Sequence, residues 1–167
     1  MPVSYKLADD IIGVPPIDVS GDLTQRLPLG TRVRAFDKST ADYGDAEFEY
    51  VKFTGVAARG DLVLKNRYAK TGVVSPAAAT KGFFGGAMAA QVANSFGYIM
   101  VRGIDDAASV LTGAVAGVAP IYGSAVTAGR ITDAVTAGYI LEGVAIRLTG
   151  TANVGAVEYN FPSCTGR

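Results

Sequence analysis

Histidine is absent from the 167 residues, and cysteine occurs once, at Cys164. Without histidine there is no Ser-His-Asp or Cys-His catalytic arrangement, and the commonest general base is missing. A single cysteine allows no internal disulfide, and no Cys/His cluster is present to hold zinc. Cys164 reads as a passive residue near the end of the chain. Charge is also scarce: 18% of residues are charged, where about a quarter is usual. The acids and bases number 15 each and cancel, so no net field calls for nucleic acid or an anionic membrane. A surface so poor in charge suits burial by partner protein.

Long apolar runs are missing too. The nearest approach, Gly82–Val101, is interrupted by Gln91, Asn94, Ser95 and several glycines. A lipid-facing helix must satisfy such groups internally, so no membrane span is expected. The opening MPVSYKLADD lacks an apolar core and carries acids, so no secretory leader is expected either.

What the chain has is glycine, alanine and short β-branched or aromatic runs. Gly82–Gly103, GFFGGAMAAQVANSFGYIMVRG, holds two apolar runs around Asn94, Ser95 and Gly97. It reads as a buried antiparallel strand pair, with glycine where backbone approaches backbone. Leu29–Phe36 alternates as a half-buried first strand. Asp37–Ala46 is a polar loop, and Glu47–Phe53 is a strand with Phe48 and Tyr50 on one face and Val51 and Phe53 on the other. A pattern then runs twice, offset by about 58 residues. Phe53–Leu64 matches Leu111–Ile121, Gly82–Ala90 matches Gly138–Ile146, and Ala93–Val101 matches Ala152–Phe161. The expected fold is all-β: a barrel or sandwich of two similar strand units with little helix. A short turn at Ser75–Thr80 is the one helical exception.

Residues 1–38 hold Pro2, Pro15, Pro16 and Pro28 among isolated Ile, Val and Leu. Proline excludes a helix interior or a central strand. This part reads as an extended arm plus the first strand, crossing its own domain or a neighbour, with residues 39–167 forming the β domain. Tyr5, Ile11, Ile12 and Ile17 are the arm residues expected to pack on a partner.

The candidates for chemistry are few. Asp9–Asp10 and Asp105–Asp106 are adjacent pairs, whose side chains diverge on an extended backbone, and they read as turns. Gly82–Gly86 lacks the spacing of a phosphate cradle. Arg59-Gly60-Asp61 spells an adhesion tripeptide but fits a turn entering the strand Leu62–Leu64. No cofactor and no metal are expected. An adhesin or carbohydrate-binding module is the rival reading, with Tyr43, Tyr50, Tyr68 and Tyr122 as its aromatic candidates.

The order of segments resembles the small decoration, or cement, proteins of tailed-phage capsids. In those, a Gly-Asp turn is followed by G-x-A, by a G-aromatic-I/V-x-V-x-G strand, by Gly-Arg-Ile/Leu-Thr and by a G-V-A strand. Here these are Gly60-Asp61, Gly86–Ala89, Gly97–Gly103, Gly129–Ala134 and Gly143–Ala145, within a match spanning 48–161. Tyr98 stands where the family more often has Trp. Gly60, Asp61, Gly86, Gly97, Gly103, Gly129 and Gly143 are the expected structural turns. The resemblance implies a non-enzymatic homotrimer on the outer surface of the virion, clamping neighbouring major capsid protein subunits.

Overall fold

The computed structural model describes residues 5–7, 14–37, 44–76, 82–117, 120–134, 139–148 and 151–164. Among them there is no helix. Eleven strands run in chain order: β1 Tyr5–Leu7, β2 Arg32–Asp37, β3 Asp45–Phe53, β4 Leu62–Lys65, β5 Thr71–Val74, β6 Gly82–Ala87, β7 Phe96–Ser109, β8 Ile121–Gly123, β9 Ile131–Thr132, β10 Tyr139–Ile146 and β11 Val154–Cys164. The all-β expectation holds. The turn expected at 75–80 lies mostly outside the described residues.

The repeat in the sequence is a repeat in hydrogen bonding. In the first unit β5 pairs antiparallel with β4, β4 with β6, and β6 with β7. β7 then pairs antiparallel with β3, and β3 meets β5 in parallel at Lys52↔Thr71, which closes a partial ring of five strands. The second unit repeats every step. β9 pairs with β8, β8 with β10, β10 with β11, and β11 with the C-terminal half of β7. A parallel bridge, Val110↔Ile131, stands where Lys52↔Thr71 stands in the first ring. β7 is therefore shared. Its N-terminal half ends one ring and its C-terminal half begins the next.

Period-two alternation sorts side chains between two cores. Val51 and Phe53 of β3, Val63 of β4, Ala87 of β6, and Ile99 and Val101 of β7 form one small buried cluster, with Val74 of β5 against it. All five strands of the first ring contribute, as its lumen requires. The intervening residues Phe48, Tyr50, Leu62, Phe84, Tyr98 and Met100 face outward into a larger core. There they meet Tyr139, Leu141, Ile146, Val157 and Tyr159 of the second unit. Phe84 stacks on Tyr139 with ring centroids 5.4 Å apart.

Residues 14–29 lie across this larger core rather than away from it. Ile17 is 6% exposed within it, and Val14, Val19, Leu27 and Leu29 pack on its edge. Gln91 pins the crossing: its Nε2 donates to Val19 O at 2.8 Å, and its Oε1 accepts from Gly21 N at 3.3 Å. Asp22 O accepts from Phe96 N at 2.7 Å. The Thr24 N–H, then Arg26, hold the Asp22 carboxyl below its ordinary pKa. Its small contribution is thus present above the carboxylate range and lost as pH falls through it. Ile17 is spent inside its own fold, which corrects its assignment as a partner contact. Tyr5 lies in β1, paired with Asp37 of β2; Ile11 and Ile12 lie outside the described residues.

Of the expected turn residues, Gly60, Asp61 and Gly129 lie in turns. Gly86, Gly97, Gly103 and Gly143 sit within strands instead, a correction with a steric cause. A Cβ at Gly86 would meet the Tyr159 ring, one at Gly97 the Gln91 amide, and one at Gly103 Ala46. Asp105 and Asp106 likewise belong to β7, not to a turn.

Gly60 combines φ +85° with a Cβ position 1.9 Å from Ala107 O, whereas Gly113, at φ +90°, has open space around it. Gly113→Ala should cost about 1–2 kcal/mol of left-handed strain. Gly60→Ala adds about 1–3 kcal/mol of overpacking to that. Urea denaturation checks the ordering, and equal losses at the two sites would contradict the packing.

Candidate binding groove

On β3 and β4 the inward row of the first ring does not end in apolar residues. Following β3 outward from Phe53 and Val51 leads to Glu49, and following β4 from Val63 leads to Lys65. Both are buried, at 2% and 8% exposure. Lys65 Nζ donates to Glu49 Oε2 at 2.7 Å, and Arg32 Nε on β2 reaches the same oxygen at 3.4 Å. Among the described residues Glu49 Oε1 has no hydrogen-bond partner. An ion pair thus plugs the mouth of an apolar lumen.

Around that plug is a groove of about 310 Å³, lined by Arg32, Lys65, Phe83, Phe84, Phe161 and Pro162. Phe83 and Phe161 are 39% and 43% exposed. Each carries a guanidinium over its ring: Arg67 Cζ lies 5.4 Å from the Phe83 centroid, and Arg32 Cζ lies 5.2 Å from that of Phe161. Lys65 Nζ is 5.9 Å from Phe83. Such contacts hold a flexible cation in place at an exposed site.

A bulge aims Phe161. The β10–β11 register jumps from Val144↔Tyr159 to Glu142↔Ser163. Gly143 takes φ +72°, where a Cβ would stand 2.4 Å from Asn160 O, and Phe161 opposite takes φ +51°. Positive φ is rare for a bulky side chain and marks a conformation held by its surroundings. Beyond Asn160, β11 exchanges β7 for β6 at Ser163↔Phe83 while Ser163 still faces Glu142 of β10, which brings Phe161 and Phe83 to one groove. Tyr68, 92% exposed, sits on the neighbouring β4–β5 turn, whose backbone is tied to Asn66 Oδ1.

A second buried charged cluster closes in on itself. Arg59 grips the fully buried Asp105 with two hydrogen-bonding nitrogens, each 2.7 Å from a carboxylate oxygen. Burial would lower the Arg59 pKa, but the Asp105 hydrogen bond and charge outweigh it and raise it. Asp61 accepts from Ala58 N at 2.8 Å and from Ser109 Oγ at 2.9 Å. Both charged members of the Arg-Gly-Asp tripeptide are thereby engaged within the fold. Burial, with Asp105 nearby, pushes the Tyr159 hydroxyl far above its ordinary pKa. This cluster fastens the 58–61 turn to β7.

Of the four tyrosines weighed for a carbohydrate platform, Tyr50 and Tyr122 are buried, Tyr68 is exposed, and Tyr43 is outside the described residues. Among the described residues no group of three or more His, Cys, Asp or Glu is placed to hold a metal. The groove escaped the sequence reading because Phe83 falls in an apolar run that looks wholly buried. One signal was there: Glu49 shares the parity of Val51 and Phe53, so a carboxylate had to point inward.

Removing one member of a buried pair strands the other. Lys65→Met should cost about 3 kcal/mol, the lower end for such pairs, because Arg32 still shields Glu49. Glu49→Leu combined with Lys65→Met should recover most of that loss. Denaturant midpoints test both, and a double variant no better than the single one would show that the pair does not stand alone.

No family model, curated protein or solved structure matches the chain, so its functional reading rests on the groove and on the order of its motifs.

Proposed function

We propose that this protein is a non-catalytic decoration protein. It would bind the outer surface of a phage capsid as an oligomer, in the simplest case a trimer, and hold neighbouring major capsid protein subunits together. The observation that carries this reading is the exposed aromatic and arginine face at the groove. Interface centres are enriched in aromatics and arginine and depleted in lysine and acids. The order of Gly-Asp, G-x-A and G-aromatic strands supports the particular kind of partner. Valency supplies the mechanism. Three linked copies make the second and third contacts intramolecular, so avidity can rise by roughly 10²–10⁴ without any single tight contact.

Within this reading Tyr5, Ile11 and Ile12 remain candidate contacts, whereas Ile17 anchors the segment to its own domain. Three measurements test it. Full-length protein at micromolar concentration should cosediment with expanded, undecorated heads and run as a trimer in light scattering. A chain starting at Val14 loses the short β1–β2 ladder but keeps both cores. It should fold, melt only slightly earlier and lose about tenfold or more in head binding, whereas one starting at Leu29 should melt much earlier, since burying Ile17 alone is worth about 1.5–3 kcal/mol. Full-length protein that stays in the supernatant would end the capsid reading. Undiminished binding by the Val14 chain would remove the N-terminal residues from the interface.

A further inference from the structure

We infer that the groove at the mouth of the first ring is the docking site for an acidic segment of the partner protein. A carboxylate would lie between Arg32 and Arg67, with an apolar side chain against Phe83 and Phe161. This rests on the proposed shell-binding role only for which protein supplies the segment.

Charge complementarity selects the occupant. Arg32, Lys65 and Arg67 bring three cations to the groove, and among the described residues Glu49 is the one carboxylate paired with any of them. Glu49 is already shared by Lys65 and Arg32. Among the described residues no carboxylate forms an ion pair with Arg67. The groove is thus left with positive charge in a chain whose net charge is zero. Its walls are not those of a simple anion site, because two exposed rings offer apolar area beside the cations. An acidic residue flanked by apolar ones meets both demands.

The duplicated frame argues that the charges are not there to build the ring. In the second unit, Gly123 ends β8 at the place where Lys65 ends β4, pairing with Tyr139 as Lys65 pairs with Phe83, and the Tyr139 ring fills the space a side chain there would need. Ala107 stands about 58 residues after Glu49. The second ring forms with neither charge, so the arrangement can be built without the ion pair. Nucleic acid fits less well: it needs a basic track along many phosphates, and the cations here converge on one groove of about 310 Å³.

The test uses full-length protein and a short fluorescein-labelled peptide of alternating Glu and Leu, read by anisotropy. A Lys-Leu peptide and a short single-stranded oligonucleotide serve as comparisons. The acidic peptide should bind, should weaken as salt rises, and should lose about tenfold or more in the Arg32→Glu/Arg67→Glu double variant. Phe83→Ser should weaken it separately, and melting curves would verify that each variant is folded. No binding of the acidic peptide, equal binding by the double variant, or preference for the oligonucleotide would each overturn the inference. Head cosedimentation then separates the two ideas. Peptide binding without head binding supports the groove and removes the capsid role. Heads bound equally by wild type and double variant keep the capsid role and overturn the groove as its docking site.

Discussion

One strand belongs to two rings, and the rest of the molecule follows from that sharing. β7 can serve both only if its ladder changes partners part-way along. The change falls at Arg102, which pairs with Glu47 of β3 and with Asn160 of β11. Gly103 follows at φ +121°, with the Ala46 Cβ only 2.6 Å from where its own would be. A side chain there would push β3 off β7 at the point where the first ring hands over to the second. Because the rings are joined by a strand and not by a linker, neither can turn relative to the other without breaking backbone hydrogen bonds.

That rigid joint explains where the buried area is. The lumen of the first ring holds only a small cluster, whereas the larger core lies between the units. Phe84 stacks on Tyr139, and Ser75 Oγ contacts the Tyr139 hydroxyl. Gly86 leaves room for the Tyr159 ring, and Arg59 of one unit grips Asp105 on the strand that opens the next. Small barrels bury too little apolar surface to be secure alone; each here is completed by the other. The strap at 14–29 finishes the same core from outside, which is why its apolar residues are isolated and not periodic.

Much of this was legible from residues. The doubling at about 58 positions showed in the glycine and aromatic spacing, and it survives in the strand order because each copy must make the same turns. The β3 faces were readable too, since Phe48/Tyr50 and Val51/Phe53 alternate and both sides are buried. Other features depended on distant partners. Gly86, Gly97 and Gly143 look like turn glycines in one dimension, but Tyr159, Gln91 and the Asn160 carbonyl determine their role. Asp105 looks like a polar turn until Arg59, 46 residues away, is brought to it. Ile17 looked free for a partner because nothing local says what covers it. The groove was hidden for the same reason: Phe83 and Phe161 are far apart in the chain and meet only where β11 crosses to β6.

Duplication also makes the groove interpretable. When a frame is built twice in one chain, features present in both copies are candidates for folding, and features in one copy are candidates for use. The ladders and the parallel closure recur; so does the turn glycine bond, Gly60 N to Ala87 O at 2.8 Å in the first unit and Gly117 N to Ile146 O at 3.1 Å in the second. The Glu49–Lys65 pair does not recur. A buried pair gains little over apolar packing, since desolvation cancels most of its attraction. Its presence at the open end of one lumen, beneath two exposed phenylalanines and two guanidiniums, is hard to explain as stabilisation. It is better explained as a charged floor that keeps the mouth from closing over with side chains, which is the geometry the proposed docking site requires.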